Sequence, residues 1–307
     1  MASILEMDRV HLNNIALILI AASLAYVIPF ELLLISYALL GPLHYLTEIS
    51  WLHDRKYFTR GSVDVGIFAG AIFVAVVAGL AGLPLDLIWF VLGVALVILV
   101  TKKLWLRAVL LSTLFTGILV FHANPILVLG AVLIPTIIHV YLFTMLFMLW
   151  GALKEGRILG FVSVGILVLA GISFFVVPMG TREVLVPLFG IENLSYFDEL
   201  RRVLGLLFGS GVPSAGVALA AFISFAYTYH YLNWFSKTRV IGWNKITNTR
   251  RTVIAILYVA SIGLYIYDYS MGFTALILLS VFHVLLEFPL NWKSLVGVYS
   301  ELKARLV

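Results

Sequence analysis

The chain has 307 residues, of which 63% are hydrophobic and 11% charged, with a formal net charge of +5. A soluble domain averages roughly 45–50% apolar and about 25% charged residues, so a soluble globular protein is excluded, as is a disordered chain, which needs the opposite balance. Cysteine is absent, which removes disulfides, thiolate metal sites and a cysteine nucleophile.

Windows of about 20 apolar residues predict ten transmembrane helices, over 12–28, 31–51, 63–82, 85–100, 105–122, 125–151, 158–178, 212–236, 252–270 and 272–291. Glu6, Asp8 and Arg9 precede the first of them, without the basic start and small-residue cleavage site of a signal peptide. That span is therefore read as retained. The expected fold is an all-α, polytopic helical bundle, a single membrane domain over 1–307 with neither repeat nor linker.

The loops after the second, fourth, sixth, eighth and tenth spans carry Arg55, Lys56, Arg60; Lys102, Lys103, Arg107; Lys154, Arg157; Lys237, Arg239, Lys245, Arg250, Arg251; and Lys293, Lys303, Arg305. With Arg9 these are 17 of the 20 Lys and Arg residues, and only Arg182, Arg201 and Arg202 fall on the other side. Positive charge gathers in the cytoplasm, which places both termini there. The outer segment 179–211 alternates Leu194, Tyr196, Phe197, Leu200, Val203, Leu204 with Asp198, Glu199, Arg201 and Arg202. That pattern predicts an amphipathic helix lying in the membrane interface.

Seven histidines are present. His11, His53 and His122 fall at span edges or in a loop, where water reaches them. His44, His139, His230 and His283 fall inside the second, sixth, eighth and tenth spans, all running from outside to inside. The first, third and fourth of these lie about two turns from the inner boundary and His139 somewhat over three, so four helices can bring their imidazoles into one layer. Ionisable groups within spans are costly and point to function. Imidazole is the commonest metal ligand, and an all-nitrogen set suits iron, zinc, copper or nickel better than magnesium or calcium.

His44-Tyr-Leu-Thr-Glu48 and His283-Val-Leu-Leu-Glu287 each place a carboxylate one turn from a histidine on the same helix face. Glu48 and Glu287 are expected to hold the imidazoles through hydrogen bonds or to bind metal directly in a two-metal centre. Around His230, Tyr229, Tyr231 and Asn233 are expected to supply further hydrogen bonds or to line an apolar tunnel, and Trp234 and Phe235 to form an interfacial belt. Pro42 and Pro135 precede His44 and His139, where they remove helical hydrogen bonds and can kink their helices.

At Gly41-Pro-Leu-His44-Tyr-Leu-Thr-Glu48, Ile137-Ile-His139, Phe225-Ala-Tyr-Thr-Tyr-His230 and Phe282-His283-Val-Leu-Leu-Glu287 the chain resembles the Brp/Blh family of membrane β-carotene 15,15'-dioxygenases. The order of the motifs agrees over most of the chain. The chain departs from the family pattern at Trp234, where a second histidine is usual, at Tyr45 in place of glycine, and at Glu48 and Glu287 in place of aspartate. The resemblance implies Fe(2+) held by His44, His139, His230 and His283, with O2-dependent cleavage of a lipophilic polyene to retinal.

The expected function is thus a membrane-embedded oxygenase drawing its substrate from the bilayer lipids of a prokaryotic plasma membrane. No nucleotide-binding motif, nucleophile elbow or redox domain is apparent, and no nucleic acid partner is expected. The rival readings are a di-metal lipid hydroxylase or desaturase and a proton- or metal-coupled transporter. A retinal-binding photoreceptor is disfavoured, because no lysine lies mid-span to form a Schiff base.

Overall fold

The computed structural model describes residues 2–56, 94, 97, 103–121, 137–179, 213–242, 244–267 and 269–306. Every regular element among the described residues is helical. The predicted span 63–82, most of 85–100, the start of 125–151, the amphipathic part of 179–211, His122 and Pro135 lie outside the described residues.

Helix α1 covers Ala2–Val27 and ends where Ile28 leaves helical geometry (φ −134°, ψ 59°) ahead of Pro29, as the steric demand of a following proline requires. Helix α2 (Pro29–Ile35) leads into a wide π turn, Ser36–Leu40, and then α3 (Gly41–Asp54). Pro42 has no N–H to offer Ala38, and its ring crowds that carbonyl; the π turn absorbs both effects without breaking the span. Helix α4 covers Leu104–Phe121, and a second π turn, Ile137–Phe143, opens α5 (Thr144–Glu155). Gly156, at φ 63°, ends α5 in the left-handed region, which glycine adopts without steric penalty. Then come α6 (Ile158–Val176), α7 (Pro213–Ser236), the short α8 (Thr238–Ile241), α9 (Asn248–Tyr267) and α10 (Tyr269–Leu306).

Met7–Val27, Pro29–Asp54, Ile137–Glu155, Ile158–Val176 and Asn248–Tyr267 are each long and apolar enough to cross a membrane. Their outward faces fit that solvent: Leu169, Ile172 and Phe175 on α6, and Val253, Ile256 and Val259 on α9, are exposed. Apolar patches of this kind are rare on soluble monomers. Helix α10 runs 38 residues, about 57 Å at 1.5 Å per residue, and so extends well past a hydrocarbon core of about 30 Å. Lys293, Lys303 and Arg305, expected in a loop, sit on this helical extension. Hydropathy marks where lipid ends, whereas the backbone hydrogen-bond ladder continues into water.

Helix α7 packs on α1, α2 and α6, while α10 packs on α3, α5 and α9. One apolar core, including Ile18, Leu167, Phe174, Ala221 and Phe225, joins α1, α6 and α7. A second joins Tyr37, Ala38, Tyr265 and Leu276, and a third joins Leu52, Leu286 and Leu290. Tyr37 and Leu276 each precede a predicted ligand histidine by two turns, and Leu52 and Leu290 follow one by about two turns. The intervening layer of the bundle is therefore closed by apolar side chains above and below.

Ion pairs and hydrogen bonds tie the chain's basic segments together. Arg157 grips Asp8 at 2.6 Å, Arg250 meets Asp54 at 2.6 Å, and the Trp51 indole donates to the Ile241 carbonyl at 3.2 Å. Arg305 donates to the Leu153 carbonyl. His11, expected in water, is instead buried, with Nε2 2.7 Å from a Glu155 carboxylate oxygen. The fold of α5 and α6 back onto α1 provides that partner, which the linear pattern does not reveal. His53 is exposed as expected.

Two glycines on α6 separate packing from propensity. A Cβ at Gly171 would overlap the Tyr141 hydroxyl and lie 2.8 Å from its Cζ, whereas one at Gly165 meets nothing within 4 Å. Gly171→Ala is expected to cost about 1–3 kcal/mol through overpacking, lowering the melting temperature in detergent. Gly165→Ala should leave it unchanged or raise it. Equal effects of the two substitutions would contradict this packing.

Candidate metal centre

The four span histidines come from four separate segments: His44 from α3, His139 from the second π turn, His230 from α7 and His283 from α10. All four are buried, and their side chains meet. Nε2 of His44 lies 3.0 Å from Nε2 of His230, and Nε2 of His139 lies 3.2 Å from Nε2 of His283. Both predicted carboxylates join them. Glu48 Oε2 is 2.9 Å from His44 Nε2 and 3.5 Å from His283 Nε2. Glu287 Oε2 is 3.1 Å from His139 Nδ1 and 4.0 Å from His283 Nε2.

These donors form two overlapping groups in which all ligand atoms lie within 4.8 Å of one another: His44, Glu48, His230 and His283, and then His139, His283 and Glu287. Two ligands bound at about 2.0–2.1 Å to one ion, at tetrahedral or right angles, stand roughly 2.8–3.4 Å apart. The imidazole pairs have that spacing. The sequence pattern leads to an expectation of four histidines around one ion; in the structure, three of them share a group with Glu48, and His139 stands with His283 and Glu287.

Two rings have their orientation fixed by groups the linear motifs did not indicate. The Thr144 hydroxyl donates to the Val140 carbonyl at 2.8 Å, so its oxygen accepts from His230 Nδ1 at 2.7 Å. His283 Nδ1 donates to the Ser280 carbonyl at 2.9 Å. With both Nδ1 atoms protonated, His230 and His283 turn Nε2 lone pairs towards the centre, as histidine ligands commonly do. Ser280 is one turn before His283, where local helical geometry offers its carbonyl. Thr144 serves a histidine on another helix, which no spacing along the chain reveals.

The donors fit a cation better than they fit one another. His44 Nδ1, Glu48 Oε2, His139 Nδ1 and Glu287 Oε2 are buried without a hydrogen-bond partner, although the two oxygens lie close to imidazole nitrogens. The contacts of Glu48 Oε2 with His44 Nε2 and of Glu287 Oε2 with His139 Nδ1 are short yet misaligned for hydrogen bonds, as expected of groups aimed at a common point. An unsatisfied buried polar atom costs about 1–3 kcal/mol, more if charged. One divalent ion beside two ionised carboxylates brings the layer to neutrality, which an apolar interior favours.

Aromatic side chains wall the centre. The Tyr45 ring stacks on His283 with centroids 4.6 Å apart, and Tyr231 lies 4.9 Å from His44. Their hydroxyls bond each other at 2.6 Å. A Cβ at Gly41 would come within 3.1 and 3.3 Å of those hydroxyls, so the close approach uses the missing side chain. Trp234, expected in an interfacial belt, is buried edge-on to His44, 5.6 Å away, and its indole donates to Thr47 at 3.0 Å. Tyr229 faces another way: its hydroxyl donates to Met148 Sδ at 3.0 Å, within the core shared with α1 and α6. Asn233 is buried one turn beyond His230, its Oδ1 without a partner.

Thr144→Val keeps the volume but removes the acceptor for His230 Nδ1. Loss of such a supporting hydrogen bond is expected to weaken metal affinity about 10–100-fold, as read by competition with a chelator, while Thr144→Ser retains it. Unchanged affinity in Thr144→Val would contradict the assigned ring orientation.

Comparison with protein-family models, curated proteins and solved structures finds no match to this chain.

Proposed function

We propose that this protein is a membrane-embedded, O2-dependent non-haem iron oxygenase that cleaves a lipophilic polyene, most simply a carotenoid, to a retinal-type aldehyde. The observation that carries the reading is the buried meeting of four imidazoles and two carboxylates from separate segments. Ionisable groups within spans are costly, and a cluster of them points to function. The motif resemblance supplies the substrate class and the choice of Fe(2+). In this reading ten spans cross a prokaryotic plasma membrane, and both termini and the basic loops face the cytoplasm.

Each residue has a part. His44, His230, His283 and Glu48 would hold the ion, while Thr144 and the Ser280 carbonyl fix two of the rings. His139 and Glu287 lie beside this group through His283 and would either add a ligand or orient what binds there. Ferrous iron, when bound, supplies the one-electron chemistry through which O2 reacts with an alkene. The apolar clusters around Leu276 and Leu286 keep water from the layer, while Tyr45, Tyr231 and Trp234 give an apolar substrate an aromatic wall. A dioxygenase places both oxygen atoms in its two carbonyl products and so needs no external electrons.

A second reading, a di-metal lipid hydroxylase, draws on the two overlapping donor groups. It meets two obstacles. His283 has one free lone pair, at Nε2, to divide between the groups, and a second divalent ion would leave uncompensated charge in an apolar interior.

Expression in cells that accumulate β-carotene tests the proposal. Loss of colour with an aldehyde product is expected for the natural chain, and retained colour for His230→Ala and His283→Ala. Unchanged pigment with iron-loaded natural protein would overturn the carotenoid assignment.

A further inference from the structure

We propose that Lys237 is a carbonyl-capturing amine, which holds an apolar aldehyde as an imine at the end of α7. Among the residues whose side chains are described it is the one lysine or arginine that is buried, 7% exposed. It follows His230 by seven residues, two turns and about 10 Å along the axis, which returns to nearly the same helix face. Asn233 lies between them on that face, its Oδ1 unpartnered. Side chains of α5 reach both residues: Thr144 bonds His230, and one turn further on the Phe147 ring lies 5.4 Å from Lys237 Nζ. Thr144 and Phe147 of α5 thus flank α7 beside the metal centre and beside a buried primary amine.

The surroundings favour a neutral carbonyl over an anion. Glu155 already places negative charge near Lys237, while its own carboxylate is tied to His11 at 2.7 Å. An anionic head group would meet that field, whereas an aldehyde would not. Burial outweighs Glu155 and draws the amine down to about 8, so a useful fraction is unprotonated near neutral pH. Desolvated lysines of this kind are the ones that form Schiff bases. In the step, the nitrogen lone pair attacks the carbonyl carbon, the oxygen leaves as water with the two amine hydrogens, and C=N replaces C=O. No oxidant or reductant is required, and hydrolysis releases the aldehyde.

The inference rests on the reading that the centre yields an aldehyde, but its test supplies one from outside. Full-length protein in nanodiscs is mixed with retinal and cyanoborohydride, and the reduced adduct is located by peptide mass mapping. The expected result is one adduct per chain at Lys237, lost in Lys237→Arg at unchanged metal content and unaffected by Lys154→Arg. Adducts spread over exposed lysines such as Lys56 and Lys103, or an unaltered yield in Lys237→Arg, would overturn it. Mapping of the natural chain decides the matter even if the variant misfolds. A chain that captures retinal yet cleaves no polyene would leave this inference standing and remove the oxygenase.

Discussion

Two carboxylates and four imidazoles withdrawn from water between apolar layers set the terms for the rest of this bundle. Each uncompensated polar atom at that depth costs on the order of a kcal/mol or more, and an unpaired charge far more. The side chains do not settle this cost among themselves. Glu48 Oε2, Glu287 Oε2 and His139 Nδ1 are left without hydrogen bonds although each has a short contact. A divalent cation resolves the conflict with one interaction, supplying an electron-pair acceptor to the lone pairs and a countercharge to the carboxylates.

The backbone is shaped around the same requirement. Both π turns fall where a histidine must be delivered: one ends immediately before Gly41 and Pro42, and the other contains His139. Such wide turns are rare and cluster at functional sites. Each shifts the side chains that follow it relative to a regular helix. Gly41 then admits the Tyr45–Tyr231 hydroxyl pair, which braces the rings beside His44 and His283. Apolar clusters about two turns on either side complete a dry compartment.

Much of this was legible from residue type and spacing. The helical class follows from apolar windows, and the six donors follow from the rarity of ionisable residues in spans together with the repeated HxxxE spacing. What the chain order hid was tertiary. Thr144 supports His230 across 86 positions, and His11 finds Glu155 across 144; neither pair has a signature along the chain. Trp234 looked like a belt residue because dense aromatics commonly mark interfaces, yet helix rotation turns it inward onto His44. The division of donors into two groups depends on ångström-scale placement that periodicity does not encode. Helix α10 runs beyond its apolar window because hydropathy reports lipid contact, whereas helicity does not stop at the membrane surface.

The functional account therefore rests on a cation in this compartment. X-ray absorption at the iron edge of the full-length protein, loaded with ferrous iron in nanodiscs, examines that directly. The account predicts one iron per chain, with nitrogen or oxygen neighbours at about 2.0–2.2 Å and the outer-shell scattering of at least three imidazoles, lost together in His44→Ala. Protein that retains no iron, or iron in an all-oxygen shell without imidazole scattering, would contradict it.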